Sequence, residues 1–84
     1  MSDLQSEFDD AVAASKSLTT APDQDTMLKM YALFKQANEG DVEGKRPGFT
    51  NPVGRAKFDA REQVSGKSSD DAKTDYVTLV ESLK

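Results

Sequence analysis

The chain is 84 residues long, 31% charged and 36% hydrophobic, with a formal net charge of -4 and no His, Cys or Trp. That length suits one compact domain, 1–84, with a small core and a net stability of a few kcal/mol to roughly 10. Without His or Cys, imidazole bases, thiol nucleophiles, zinc cages of the usual ligands and disulfide frameworks are excluded.

No apolar run approaches the ~18 residues that span a bilayer, and Met1-Ser2-Asp3-Leu4-Gln5 lacks the basic and apolar blocks of a signal peptide. The expectation is a soluble cytoplasmic protein. Charge is segregated along the chain. Between Lys45 and Lys67 stand Lys45, Arg46, Arg55, Lys57, Arg61 and Lys67 against Asp59 and Glu62, a local +4 that leaves -8 elsewhere. The acidic remainder would repel nucleic acid, while the basic stretch suits either a small anionic ligand or an ordinary solvated face.

Four helices are predicted and no strands. The first runs from about Leu4 to Ser17. Asp3 or Ser2 can accept from free backbone N–H groups, and Leu4, Phe8, Ala11, Val12 and Ser15 form one stripe at i, i+4, i+7, i+8 spacing. Thr19-Thr20-Ala21-Pro22 ends it. The second opens at Pro22-Asp23, with Asp23 as cap, and reaches about Glu39, where Gly40 can close the helix in a left-handed conformation. Its apolar set, Met27, Leu28, Met30, Tyr31, Leu33, Phe34 and Ala37, is too broad for one stripe. Such a helix must be covered on two sides, by two neighbours or by a neighbour and a ligand.

Gly40 to Asn51 reads as the one long connection, broken by Gly44, Pro47 and Gly48, and of a length that allows a crossover. The third helix starts with Thr50 or Asn51 as cap and Pro52 near its first position, and ends at Ser65-Gly66. Val53, Ala56, Ala60 and Val64 are expected as its thin buried stripe, with Phe58 on another side. Ser68 and Asp71 then resemble a capping box, followed by Ala72, Tyr76, Leu79, Val80 and Leu83 at helical spacing. The class is all-α.

On the second helix Tyr31, Phe34 and Lys35 share one face; on the third, Arg55, Lys57, Phe58 and Arg61 lie within about one turn. Rings beside cationic groups suit a ligand with a flat base and phosphates, the rings stacking on the base and the ammonium groups donating to the phosphate. The same residues also read as core aromatics beside solvated lysines, and the spacing alone leaves both open.

The order Met27-Leu28-Lys29-Met30-Tyr31-Ala32-Leu33-Phe34-Lys35-Gln36-Ala37, then Gly40-Asp41, Arg46-Pro47-Gly48 and Gly54-Arg55-Ala56-Lys57-Phe58-Asp59-Ala60, resembles the acyl-CoA-binding proteins. The resemblance runs from Phe8-Asp9 through Ser68 to Tyr76 with no obvious insertion or deletion. It implies a four-helix up-down-down-up bundle with a long crossover between helices 2 and 3. By the same resemblance Tyr31 and Lys35 would hold the CoA adenine and 3′-phosphate, Lys57 would meet that phosphate from helix 3, Tyr76 would pack against the adenosine, and Lys16 would approach the CoA moiety. Ala11, Met27, Leu28 and Met30 would line or border the acyl groove.

There are departures from the pattern. Phe34 stands where the family usually has Tyr, and loss of that hydroxyl would weaken head-group binding by about 1 kcal/mol. Phe58 and Arg61 occupy positions commonly filled by Trp, and Val53 replaces a frequent Lys. The resemblance implies a monomeric, non-enzymatic carrier of long-chain acyl-CoA, with no metal and no cofactor beyond that ligand, and transient contact with membranes or acyl-CoA-using enzymes. Competing readings are weaker. A phosphopantetheine-bearing carrier needs an Asp-Ser-Leu site, but Ser17-Leu18 follows Lys16 and Ser82-Leu83 follows Glu81. An acyl-CoA enzyme would have to use Asp59 or Glu62 as base, and a purely structural bundle would bind no ligand.

Overall fold

Each helix begins at a side chain that accepts from an otherwise orphaned backbone N–H. The computed structural model describes residues 3–84 and holds four helices, α1 (Leu4–Ser15), α2 (Gln24–Glu39), α3 (Pro52–Gln63) and α4 (Ser69–Leu83). Asp3 accepts from Ser6 N at 2.7 Å and Asp23 from Thr26 N at 2.7 Å. Asn51 Oδ1 accepts from Gly54 N at 3.1 Å, and Ser68 Oγ from Asp71 N at 3.0 Å. Of the two residues expected to cap α1, Asp3 does so and Ser2 lies outside the described residues. At α3 it is Asn51, with Pro52 as first residue.

Two expected helix ends move inward. At α1 the chain tightens into i→i−3 bonds, Lys16 N to Ala13 O and Ser17 N to Ala14 O, so the helix stops at Ser15 instead of Ser17. The same tightening, Val64 N to Arg61 O and Ser65 N to Glu62 O, stops α3 at Gln63 instead of Ser65. Gly40 closes α2 at φ 82 and ψ -157, a positive φ as expected but well outside the left-handed helical well. Only glycine adopts that combination readily; a Cβ there would meet no atom within 4 Å, so any strain on substitution is in the backbone.

Cross-helix contacts set the directions. Phe8 of α1 stacks on Phe34 in the second half of α2, while Gln5 and Ser15 of α1 meet Lys73 and Tyr76 of α4 in the same order. The C-terminal end of α2 meets the start of α4, where Ser69 Oγ donates to Ala37 O at 2.8 Å. Along α3, Lys57 lies over Tyr31 and Arg61 reaches Gly40, so α3 runs parallel to α2. The topology is up-down-down-up, and residues 40–51 form the crossover, without regular secondary structure.

The core lies between α1, α2 and α4: Phe8, Ala11, Leu33, Ala37, Ala72, Tyr76 and Val80 are buried. Phe8, Phe34 and Tyr76 form its aromatic centre, with Phe8 edge-on to Tyr76 at 5.2 Å. The broad apolar surface of α2 is covered on two sides, by α4 and by α3. Among the described residues α3 packs only on α2, and no residue within it is buried. The expected buried stripe of α3 is corrected accordingly: Val53 is 63% exposed, Ala56 and Ala60 are half-buried, and only Val64, just past the helix, is buried. A helix with a single neighbour has too little cover for a full stripe, and Val53 in its first turn falls outside that cover.

Polar ties secure what burial does not. Gln36, 1% exposed, donates through Nε2 to Asp41 Oδ1 at 2.7 Å and to Lys67 O at 2.9 Å. Asp41 also accepts from Gly66 N at 2.8 Å, so one amide and one carboxylate join the end of α2 to the α3–α4 turn. Arg46 in the crossover grips Asp59 of α3 in a two-pronged bond, Nε to Oδ1 at 2.7 Å and a terminal nitrogen to Oδ2 at 2.6 Å.

Gln36→Ala should destabilise the fold by about 2–4 kcal/mol, from the cavity plus the donors and acceptors left without partners, read by urea unfolding. A loss under about 0.5 kcal/mol would show the tie to be dispensable. Three carboxyls are held below the usual range by the groups that donate to them: Asp3 chiefly by the Ser6 N–H, Asp23 by the Thr26 hydroxyl and then its N–H, and Asp41 chiefly by the Gly66 N–H. A carboxyl depressed in the folded state adds stability above its unfolded pKa, and that contribution is lost as pH falls through the folded value. The melting temperature should therefore fall as pH drops below about 4, and Asp41→Asn should flatten that fall. An identical acid profile for the variant would remove Asp41 from the account.

Candidate functional site

The seam between α2 and α3 brings together side chains from both helices. Tyr31 and Lys35 lie one turn apart on the same face of α2. From α3 the Nζ of Lys57 sits 5.4 Å from the centre of the Tyr31 ring, within cation–π range. Lys35, half-buried, donates to Glu39 Oε2 at 2.8 Å, and this bond raises its pKa above the ordinary lysine value. Arg61 sends a terminal N–H to Gly40 O at 3.2 Å, and its Nε is buried without a partner. Lys35, Lys57 and Arg61 thus make a cationic pole beside an aromatic ring.

The other expected head-group residues sit differently. Phe34 and Tyr76 belong to the aromatic centre of the core. Tyr76 is 4% exposed, and its hydroxyl donates to Ser15 Oγ at 3.3 Å, so it offers a ligand little more than an edge. Phe34, half-buried, stacks on Phe8 with ring centres 5.9 Å apart. Lys16, exposed at the end of α1, follows Ser15 and so lies near the Tyr76 hydroxyl.

The four residues expected along the acyl groove do not form one lining. Met27 is 50% exposed on α2, Met30 packs against the core, and Ala11 is buried within it between α1 and α4. Leu28 borders a groove of about 910 Å³ between α2, α3 and α4, whose apolar wall also includes Leu33, Ala56, Ala60, Val64 and Leu79. Of its α2 residues, Asp25, Lys29 and Leu33 lie away from the face of Tyr31 and Lys35, while Leu28 stands three residues before Tyr31 and seven before Lys35, on their face. Leu28 therefore stands at both the edge of the groove and the face of the Tyr31–Lys35 pole.

Much of the basic stretch is internally engaged. Arg46 is bound to Asp59, Lys67 to Asp75 at 2.7 Å, and Arg55 lies 5.6 Å over the exposed Phe49 ring. Asp59 has both oxygens committed to Arg46 and a pKa lowered by that bond, which leaves it poorly suited to act as a base. Sequence reasoning overlooked Glu39 as a partner of Lys35, although the four-residue spacing signals it. Gln36 and Asp41 enter the sequence reading only within the family pattern and not as a buried tie; a polar residue amid the apolar run of α2 is the available sign.

Among the described residues no cluster of three or more acidic side chains could hold a metal ion, and no helix is long and apolar enough to cross a membrane. The family model described as acyl CoA binding protein matches residues 5–80. Acyl-CoA-binding protein homolog 1 of Caenorhabditis elegans is 47% identical over 76 residues, covering 90% of this chain and 88% of that protein. The acyl-CoA-binding protein of Saccharomyces cerevisiae is 41% identical over 76 residues, with 90% and 87% covered. The crystal structure of Oryza sativa Acyl-CoA-Binding Protein 2 matches with a TM-score of 0.89 at 40% identity, covering 96% of this chain and 90% of that one. With the helices, the crossover and the sequence all in agreement, the chain belongs to the acyl-CoA-binding protein family.

Proposed function

We propose that this chain is a non-enzymatic cytoplasmic carrier that binds one medium- to long-chain acyl-CoA per monomer. The observation that carries the reading is the Lys57 ammonium over the Tyr31 ring across the α2–α3 seam, with Lys35 one turn along. An adenine can stack on Tyr31 while Lys35 and Lys57 donate to the 3′-phosphate, each bond charge-assisted. Tyr76 and Phe34 back this pole from the core, and Lys16 approaches the CoA moiety from the end of α1. From the pole, the acyl chain runs toward the start of α2, where Met27 and Leu28 lie about 12 Å from Lys35 at 1.5 Å per residue.

Binding energy divides between the two ends of the ligand. Each methylene removed from water adds about 0.8 kcal/mol, so chain length sets most of the affinity while the phosphate sets orientation. Met27, exposed and flexible, suits chains of different length. Nothing in the arrangement calls for bond cleavage: the pole binds and orients a phosphate, and the carboxylate nearest it, Glu39, is already paired. Delivery to membranes or to acyl-CoA-using enzymes then follows from reversible, non-covalent holding of the thioester.

Calorimetric titration with palmitoyl-CoA, free CoA and palmitate, each below its micelle concentration, should give one-to-one tight binding, weaker binding and little binding respectively. Equal affinity for palmitate and palmitoyl-CoA would overturn the head-group reading, and breakdown of the thioester by pure protein would overturn the carrier reading. Lys35→Ala and Lys57→Ala should each weaken palmitoyl-CoA binding by roughly 1–3 kcal/mol with the fold intact. Wild-type affinity in the double variant would eliminate the phosphate site.

A further inference from the structure

In the structure the ammonium of Lys35 is already occupied. It forms an ion pair with Glu39 at 2.8 Å, one turn along α2, with the two side chains 33% and 52% exposed. Glu39 ends α2 immediately before Gly40, whose carbonyl takes a hydrogen bond from Arg61. The charge of Arg61 acts on both members of the pair, opposing Lys35 and favouring an ionised Glu39. One carboxylate therefore sits within the cationic pole of Lys35, Lys57 and Arg61.

Resting on the reading that this pole takes the 3′-phosphate of an acyl-CoA, we propose that Glu39 sets affinity and specificity: its carboxylate occupies Lys35 in the unliganded protein and competes with the phosphate for that ammonium. A phosphate monoester carries close to two negative charges at neutral pH. To reach Lys35 it must displace the carboxylate, exchanging one charge-assisted bond for another. An exposed pair of this spacing is weak enough to be exchanged for a doubly charged ligand. That cost falls on the phosphate contact alone and leaves the apolar contacts of the acyl chain untouched. Glu39 thus lowers the share of affinity drawn from the head group and raises the relative weight of chain length. In the empty protein the same carboxylate offsets repulsion between Lys35 and Arg61.

The test is calorimetric titration of wild type, Glu39→Gln, Lys35→Met and the double variant with palmitoyl-CoA and with palmitoyl-3′-dephospho-CoA at low salt, thermal unfolding confirming that each is folded. Glu39→Gln should tighten palmitoyl-CoA binding about threefold to tenfold, leave the dephospho ligand unchanged within about twofold, and produce no gain when Lys35 is Met. The gain should shrink as salt is raised. A wild type that prefers the phosphorylated ligand but matches Glu39→Gln in affinity would overturn the proposal alone, as would an equal gain for both ligands or a gain that survives Lys35→Met. A wild type that binds both ligands equally, or neither, would overturn the underlying head-group reading and the proposal with it.

Discussion

The third helix is held in place almost without a core, and the rest of the site depends on how that is achieved. Among the described residues it packs on α2 alone, and no residue within it is buried. Yet it carries Lys57 and Arg61, two of the three cations of the pole. Hydrophobic burial elsewhere fixes α1, α2 and α4 around Phe8, Leu33 and Tyr76, but it does not by itself place α3. That task falls to directional bonds at three points: Arg46 with Asp59, Arg61 with Gly40 O, and the Gln36–Asp41 junction that anchors the α3–α4 turn. Hydrogen bonds are weaker than burial as a source of net stability but stricter in geometry. A helix placed by them has a defined register even where its packing is thin.

The electrostatics follow the same economy. A chain of net charge -4 presents a cationic pole because most of its basic residues are either paired away or aimed at the α2–α3 seam. Arg46 and Lys67 are committed to Asp59 and Asp75, which removes them from any ligand. What remains at the seam is Lys35, Lys57 and Arg61, tempered by Glu39. An unrestrained cluster of three cations would repel itself in the empty protein and attract polyanions without discrimination. A carboxylate within the cluster limits both effects.

The helices were legible because each is marked at its start by a capping residue and along its length by a repeat of apolar positions. Asp23, Asn51 and Ser68 announce α2, α3 and α4 without reference to anything distant. Tyr31, Lys35 and Lys57 were legible as a group only through family resemblance; spacing could relate Tyr31 to Lys35 on one helix but could not relate either to Lys57 across 26 or 22 residues of chain. The stripe on α3 was misjudged because periodicity reports which positions align, not whether a neighbour exists to cover them. Val53 aligns with Ala56 and Ala60 and remains exposed. Gln36 and Asp41 were illegible for a related reason: a buried amide earns its place through partners far away in sequence, here Lys67 and Gly66.

The thin packing of α3 also gives ligand binding a structural meaning. In the proposed complex an adenine on Tyr31 and a phosphate between Lys35 and Lys57 would bridge α2 and α3 at the height where Lys57 lies over the Tyr31 ring. The ligand would then serve as part of the interface that α3 lacks, and its binding free energy would act on that helix by mass action, since any ligand that binds only the assembled seam stabilises it. Elements held by few apolar contacts open at lower free energy than the core around them. A carrier must both grip and release its cargo, and a helix closed partly by the cargo meets both demands: without ligand it rests on a few polar ties, and with ligand it gains the contact that completes it.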